Sequence, residues 1–342
     1  DGTNDFLISD TTGSDSYQYG LFYQDDIRFS DRWSLLLGLR GDYYDVSAED
    51  PLPPPGFAAA SDSAGEFNPS GTASLTFRPV PEQSYYVTWN HSRATINSLA
   101  GGFTLDANNE IPPERFDTES DLYEIGAKFL LRDETLFLGL AAFDQTRNLR
   151  NRDGSVSGIQ VRGAELETTW QPGDRFFASL GLSWLDPRFD GSSAVQGTRA
   201  VVDAFDGSRP DIIMGSGLGS PNLTVFPPGD ERVPGLPTWV LNAFAGYTFD
   251  TGLGVNLGIV ATDEYPLDFL DTVHIPAQFT LNGGVSYERG SWELRADFFN
   301  ITDEDNFSPV FGGFFGATDV FPELPFSYLL SLRYSFDKRG SD

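Results

Sequence analysis

The sequence predicts an all-β chain: an antiparallel transmembrane β-barrel meander of about 13 strands, a partial barrel truncated on its N-terminal side, with short periplasmic turns and long extracellular loops. Three observations point there. Apolar residues recur with period two, connections alternate between short and long, and aromatic residues gather where strands meet the short connections.

The alternation is clearest in four places. Trp33, Leu35, Leu37 and Leu39 alternate with Ser34, Leu36, Gly38 and Arg40. Phe176, Ala178, Leu180, Leu182 and Trp184 alternate with Phe177, Ser179, Gly181 and Ser183. Trp292, Leu294, Ala296 and Phe298 alternate with Glu293, Arg295, Asp297 and Phe299, and the run Phe326 to Phe336 repeats the pattern. Thirteen such segments span 16–29, 33–46, 68–79, 83–95, 119–131, 135–149, 157–170, 175–187, 238–249, 253–262, 275–288, 291–302 and 325–336.

Every second connection is tight: 30–32, 80–82, 132–134, 171–174, 250–252 and 289–290. Those between are longer: 47–67, 96–118, 150–156, 188–237, 263–274 and 303–324. An antiparallel meander therefore gathers all its long loops at one end, which is the habit of outer-membrane barrels. Trp33, Tyr85, Trp170, Phe176, Phe249, Tyr287, Trp292 and Phe336 flank the tight turns, where an interfacial girdle belongs because amphipathic rings favour the headgroup level.

Composition removes other classes. The 342 residues hold no cysteine, which excludes disulfides, thiolate metal sites and a cysteine nucleophile. His91 and His274 lie far apart and predict no metal site, and no cofactor is expected. A net charge of −28 repels phosphate backbones, so no nucleic-acid partner is expected. Of that charge, −19 falls in 1–15, 47–67, 98–118, 190–237 and 303–324, which places the acidity in loops. No apolar run approaches the ~20 residues of a membrane helix. The start Asp1-Gly2-Thr3-Asn4-Asp5 has neither the basic start nor the apolar run of a signal peptide. Gly215-Ser216-Gly217-Leu218-Gly219 lacks the flanking strand and helix of a dinucleotide site, and Asp303-Glu304-Asp305 lacks EF-hand spacing. No catalytic constellation emerges, so no enzyme is expected.

Six stretches, in order, resemble TonB-dependent outer-membrane receptors. They are Tyr19-Gly20-Leu21-Phe22-Tyr23-Gln24-Asp25-Asp26 with Asp31 to Leu35 and Gly38 to Tyr44; Tyr123-Glu124-Ile125-Gly126-Ala127-Lys128-Phe129; Ala141 to Asp144; Arg162 to Glu167; Trp292 to Arg295 leading into Asn300-Ile301-Thr302-Asp303 and Phe307; and Ser331 to Phe336. The resemblance implies that 1–336 is the C-terminal portion of such a receptor's barrel in the outer membrane of a Gram-negative bacterium, with 337–342 a polar tail. It implies as partners outer-membrane lipid, a plug domain and a TonB-binding segment upstream in the same full-length chain, and a small-molecule ligand. A ferric siderophore leads, because Gly38 to Tyr44 looks most like that branch. A passive porin-type channel, or uptake of a cobalamin or an oligosaccharide, are the alternatives.

Parity places Arg40, Asp42, Glu124, Lys128, Glu165, Glu167, Glu293, Arg295, Asp297 and Arg333 on the face away from the apolar one, where they would pair in a lumen and meet the plug. Tyr43, Tyr44, Trp89, His91, Arg93, Arg147, Arg150 and Arg152 lie near the long loops. Their rings and guanidinium groups suit ligand contact by stacking and charge-assisted hydrogen bonds. Phe307, Phe311, Phe314, Phe315 and Phe321 predict packing of the last long loop or a lid.

Overall fold

A computed structural model of the chain describes residues 13–51, 58–95, 118–150, 156–189, 232–267, 274–311 and 318–336, together with 103, 105–106, 108–111, 113–116, 195–198 and 223–226. Its strands are β1 (Gly13–Arg28), β2 (Trp33–Asp50), β3 (Ala60–Phe77), β4 (Gln83–Ala94), β5 (Thr118–Leu131), β6 (Leu136–Arg150) and β7 (Val156–Gly173). They continue with β8 (Phe176–Phe189), β9 (Val195–Thr198), β10 (Leu223–Phe226), β11 (Trp239–Thr248), β12 (Leu253–Thr262), β13 (Tyr265–Pro266) and β14 (His274–Ile275). The last are β15 (Gln278–Arg289), β16 (Trp292–Phe299), β17 (Phe307–Phe311), β18 (Thr318–Pro322) and β19 (Ser327–Tyr334).

Thirteen of them form one sheet in the order β1-β2-β3-β4-β5-β6-β7-β8-β11-β12-β15-β16-β19, so the anticipated meander is present strand for strand. The other six pair as hairpins, β9 with β10, β13 with β14 and β17 with β18. Each hairpin lies within a long connection, so the long loops carry strand structure that period-two counting over the thirteen segments did not separate. Among the described residues no helix is long and apolar enough to cross a membrane, which says nothing of strands.

Short turns close one end of each hairpin. At the turn between β11 and β12, Gly252 takes φ 85°, and a Cβ there would collide with the Glu288 carbonyl oxygen, so only glycine fits. Between β5 and β6 the residues Arg132, Asp133 and Glu134 all adopt positive φ, and the turn is closed by Thr135 N–H donating to the Arg132 carbonyl at 3.3 Å.

The residues group into two compact units. The first comprises 1–76, 87–123 and 145–158, the second 77–86, 124–144 and 159–342. In the first, β2 and β3 run longer than the sequence pattern indicated, so that much of the segment expected as the 47–67 loop is strand. Glu49 and Asp50 belong to β2, and Asp62 and Glu66 to β3. The physical reason is an apolar cover: Val46 and Ala48 at the far end of β2 are buried with Phe103, Ile111 and Phe116, and Phe103 stacks on Phe116 with ring centroids 5.3 Å apart. Ile111 N–H donates to Asp62 Oδ2 at 2.7 Å, tying the covering segment to β3. Just before it, Asp106 Oδ1 accepts from Asn108 N–H at 2.8 Å and Glu110 N–H at 3.0 Å, and those backbone donors hold the Asp106 carboxyl below the usual carboxylate range.

In the second unit, Tyr265, Leu267 and Ile275 form a small buried cluster against which Phe307 packs. Packing is thus the role of Phe307, while Phe321 is exposed. The side chain of Phe311 and the residues Phe314 and Phe315 lie outside the described set, as does the tail 337–342.

Candidate functional site

Alternation fixes which side chains share a face, and the contacts confirm the assignment. On β1 and β2, Tyr19 faces Tyr43, Leu21 faces Gly41 and Tyr23 faces Leu39 on the apolar side. Gln18 opposes Tyr44 and Gly20 opposes Asp42 on the polar side. The polar side carries the tightest cluster of the first unit. Arg40 grips Asp42 through Nε and Nη2, both bonds at 2.6 Å, and Gln18 Nε2 donates to Asp42 Oδ1 at 2.8 Å and to the Tyr44 hydroxyl at 3.0 Å. Asp42 is 5% exposed, so this bidentate pair satisfies a carboxylate that burial alone would penalise. Gly20 makes room for it: a Cβ there would meet Arg40 Nη2 and Asp42 Oδ1 at 2.7 Å.

Asn68, on β3 of the same unit, is fully buried with neither amide atom hydrogen-bonded among the described residues. Sequence reasoning had no signal for Asn68. Gln18 was legible in principle, since the tight turn at 30–32 sets the β1–β2 register that brings it opposite Tyr44.

The candidate ligand residues whose side chains are described do not all share one face. Tyr44 stands on the polar face beside Asp42, while its neighbour Tyr43 points to the apolar side and is 46% exposed. Trp89 shares a face with Leu39, because both lie against Gly71. His91 stacks on Trp89 at 6.3 Å between ring centroids, and Arg93 follows at the same parity. His91 Nδ1 pairs with Asp121 Oδ1 at 2.9 Å and Arg93 Nε lies 3.8 Å from Glu119 Oε2. Trp89, His91 and Arg93 therefore form a row on the apolar-parity face at the long-connection end, away from Tyr44. Arg147 is exposed, Arg150 contributes backbone to β6 with its side chain outside the described set, and Arg152 lies outside it altogether.

Several of the polar-face charges are paired or hydrogen-bonded. In the second unit Lys128 Nζ sits 5.5 Å from the centre of the Tyr86 ring, whose hydroxyl is hydrogen-bonded to Glu124. Arg295 Nε donates to both oxygens of Asp297 at 2.9 and 2.7 Å, and Arg333 Nη1 lies 3.9 Å from Glu293 Oε2. Glu165 and Glu167 share this face, opposite Ser183 and Gly181 on β8.

The apolar face has its own order. At the short-turn end rings meet rings: Phe77 with Tyr85, Tyr85 with Phe129, Trp170 with Phe176, Tyr247 with Phe249, and Trp292 with Tyr334. Along β8 the face then runs Phe176, Ala178, Leu180, Leu182 and Trp184, the last paired with Trp239 of β11. Eight residues of strand span about 27 Å, or roughly 20 Å of depth at the usual ~40° tilt of membrane strands. Beyond Trp184 the same face turns charged at Asp186 and Arg188. Leu182, Trp184 and Leu257 are exposed and, with the half-buried Leu241, belong to an apolar band bounded on β8 by aromatic rings at both ends. Among the described residues no group of three or more metal-ligating side chains occurs.

A long antiparallel meander whose exposed apolar face is edged by aromatic rings, and whose other face carries paired charges, defines the class of strand-built membrane proteins. The family profile described as "TonB dependent receptor-like, beta-barrel" matches residues 1–301, and the chain belongs to this TonB-dependent receptor family. It is 22% identical over 317 residues to the "Probable TonB-dependent siderophore receptor PiuA" of Acinetobacter baumannii, a match covering 87% of this chain and 38% of that protein. It is 30% identical over 194 residues to the "Probable TonB-dependent receptor BfrD" of Bordetella pertussis, covering 54% and 23% respectively. The crystal structure of the PiuA receptor superposes with a TM-score of 0.74 at 18% identity, covering 94% of this chain and 44% of that one. The chain therefore spans less than half the length of these relatives.

Proposed function

We propose that this chain forms the membrane-crossing strands of an outer-membrane receptor for TonB-dependent uptake, and that its ligand is a ferric siderophore. The observation that carries the reading is the two-faced sheet. An apolar band of membrane depth with aromatic edges has no purpose in water, where large exposed apolar patches drive association. On this reading the apolar face meets lipid, the short turns face the periplasm and the long connections face outward in a Gram-negative outer membrane.

The polar face then lines a lumen filled by a plug domain of the same full-length protein. That plug would carry the contact with TonB. Charges such as Arg40 with Asp42 and Arg295 with Asp297 are paired along their own strands, so the wall presents neutralised, hydrogen-bonded groups to the plug. Tyr44 stays in the ligand-binding proposal because it stands on the lumen side near the outward end. Trp89, His91 and Arg93, which share the lipid-side parity, would form an outer rim above the membrane. Membership of a receptor family supports transport over catalysis, and the siderophore assignment draws on the similarity to the siderophore receptor PiuA.

The test is growth and radioactive iron accumulation under iron restriction, comparing a strain lacking the full gene with its complemented parent, each supplied with one defined ferric siderophore at a time. Accumulation of at least one ferric siderophore is expected to depend on the gene. If no ferric siderophore shows gene dependence while cobalamin or an oligosaccharide does, the ligand assignment is wrong and the receptor assignment stands.

A further inference from the structure

The polar face of β2 changes character toward the long connections. Arg40 and Asp42 are followed at the same parity by Tyr44, Val46 and Ala48, and the last two are 1% and 2% exposed. Apolar side chains on this face are buried only where something folds inward over them. The occupant is the connection between β4 and β5: its Phe103, Ile111 and Phe116 cluster with Val46 and Ala48, and Tyr44, Ala64 and Leu105 pack around them. Ala64 and Asp62 share a parity on β3, and Ile111 N–H reaches Asp62 Oδ2. The segment therefore lies against the polar face rather than above the strand ends.

It is held at several points. Phe103 stacks on Phe116, which ends the short 3-10 turn Pro113–Phe116. Phe103 and Ile111, both buried, clamp the two ends of 104–110, so this short stretch has little reach. Its tip is closed on itself. Asp106 N–H donates to the Glu110 carbonyl at 2.8 Å, Asn109 N–H to the Asp106 carbonyl at 3.0 Å, and Asn108 Nδ2 to Asp106 Oδ2 at 3.2 Å. Asn109 takes φ 63°, a left-handed conformation that asparagine tolerates. Asn108, Asn109 and Glu110 are exposed on this turn.

We propose that 103–116 is a fixed strap inside the mouth of the lumen, and that its tip, Asn108, Asn109 and Glu110, selects among ferric chelates by hydrogen bonds while staying in place. Side-chain amides and a carboxylate on a rigid turn discriminate by the pattern of N–H, O–H and carbonyl groups a chelate presents, and a backbone ordered beforehand loses little entropy on binding. Tyr44 packs against the apolar side of the strap, and its hydroxyl accepts from Gln18, so strap and wall form one continuous surface. The proposal rests on reading the polar face as the lumen wall of a siderophore receptor.

The test is hydrogen exchange, read by mass spectrometry on the detergent-solubilised full-length protein, alone and with the ferric complex of a tricatecholate or of a trihydroxamate. The peptide containing Ile111 is expected to exchange at least about a hundredfold more slowly than open chain, and to change by less than about twofold when either complex is added. Asn108→Ala combined with Glu110→Gln should leave that exchange unaltered, and should weaken the better-bound complex about tenfold in a fluorescence titration. Exchange at the open-chain rate, a tenfold change on adding a bound complex, or unaltered affinity in the tip variant would overturn the proposal. Should the double variant fold poorly, Glu110→Gln alone, at an exposed side chain, carries the same comparison. If neither complex binds, the siderophore reading fails, while exchange measured without chelate still decides whether the strap is fixed. A failure of the lumen reading itself would show instead as normal assembly of a charged variant at Leu182.

Discussion

Replacing Asn300 by alanine is expected to destabilise the folded protein by about 3 to 5 kcal/mol, the sum of a buried hydrogen-bond network and a special backbone conformation. Asn300 is 4% exposed and sits at φ 48° at the end of β16. Its Nδ2 donates to the Glu304 carbonyl at 2.8 Å and the Leu324 carbonyl at 3.2 Å, while its Oδ1 accepts from Glu304 N–H at 3.0 Å. Its own N–H donates to Asn282 Oδ1 at 3.0 Å. One side chain thus ties both ends of the 300–326 connection to β16, and alanine would leave two carbonyls and an amide without their partner. Asn306 extends the clasp, donating to the Phe279 carbonyl and to Thr280 Oγ1, both at 3.0 Å. Asp303 Oδ1 adds a bond from Phe326 N–H at 2.8 Å. Asn300→Asp keeps the acceptor but turns a second oxygen toward two carbonyls, so it should fare no better than alanine. The temperature at which the detergent-solubilised full-length protein loses its compact form on a gel measures this. A shift within error of wild type for both variants would show that the clasp contributes little.

The second large effect concerns Leu182. It pairs with Leu166 and Leu241 in the apolar band, one step in from its edge at Trp184, and is 37% exposed. Leu182→Arg should reduce assembly into the membrane, because a cation on the lipid side of a strand costs about 2–4 kcal/mol at mid-depth and less toward the interfaces. Leu182→Ala should be nearly neutral, since lipid fills the space the isopropyl group leaves, whereas in a water-soluble core the same change costs about 2–5 kcal/mol. Gly181→Ser on the opposite face, where a Cβ would meet nothing within 4 Å, serves as the control and should assemble normally. Measured membrane-assembled protein in which arginine is tolerated and alanine is not would reverse the assignment of the two faces.

Much of this was legible in the sequence because the strands carry their information locally. The alternation in Phe176 to Trp184 gives both the strand and its apolar face, and tight turns such as Arg289-Gly290 set register. The strand extensions were not legible, because Val46 and Ala48 owe their burial to Phe103, Ile111 and Phe116, more than fifty residues away, and no local pattern reports such a contact. The sequence did hold the parity of Trp89, His91 and Arg93: counting by twos from Tyr85 puts them on the apolar side. Their nearness to a long loop, and the suitability of rings and guanidinium groups for a ligand, pointed elsewhere. Asn300 and Asp303 were visible as a family resemblance, and the structure supplies the reason in the hydrogen bonds they make. Ligand recognition was the least legible, since among the candidates with described side chains only Tyr44 stands beside the polar-face cluster.

The most direct test of the central claim, that these strands belong to an energised uptake receptor, is the initial rate of ferric siderophore accumulation in cells expressing the full-length protein, with and without functional TonB. Ligand binding is expected in both strains and accumulation only where TonB is present, with collapse of the proton gradient reproducing its loss. Accumulation that persists without TonB and rises linearly with external concentration would contradict it, and would make the protein a passive channel.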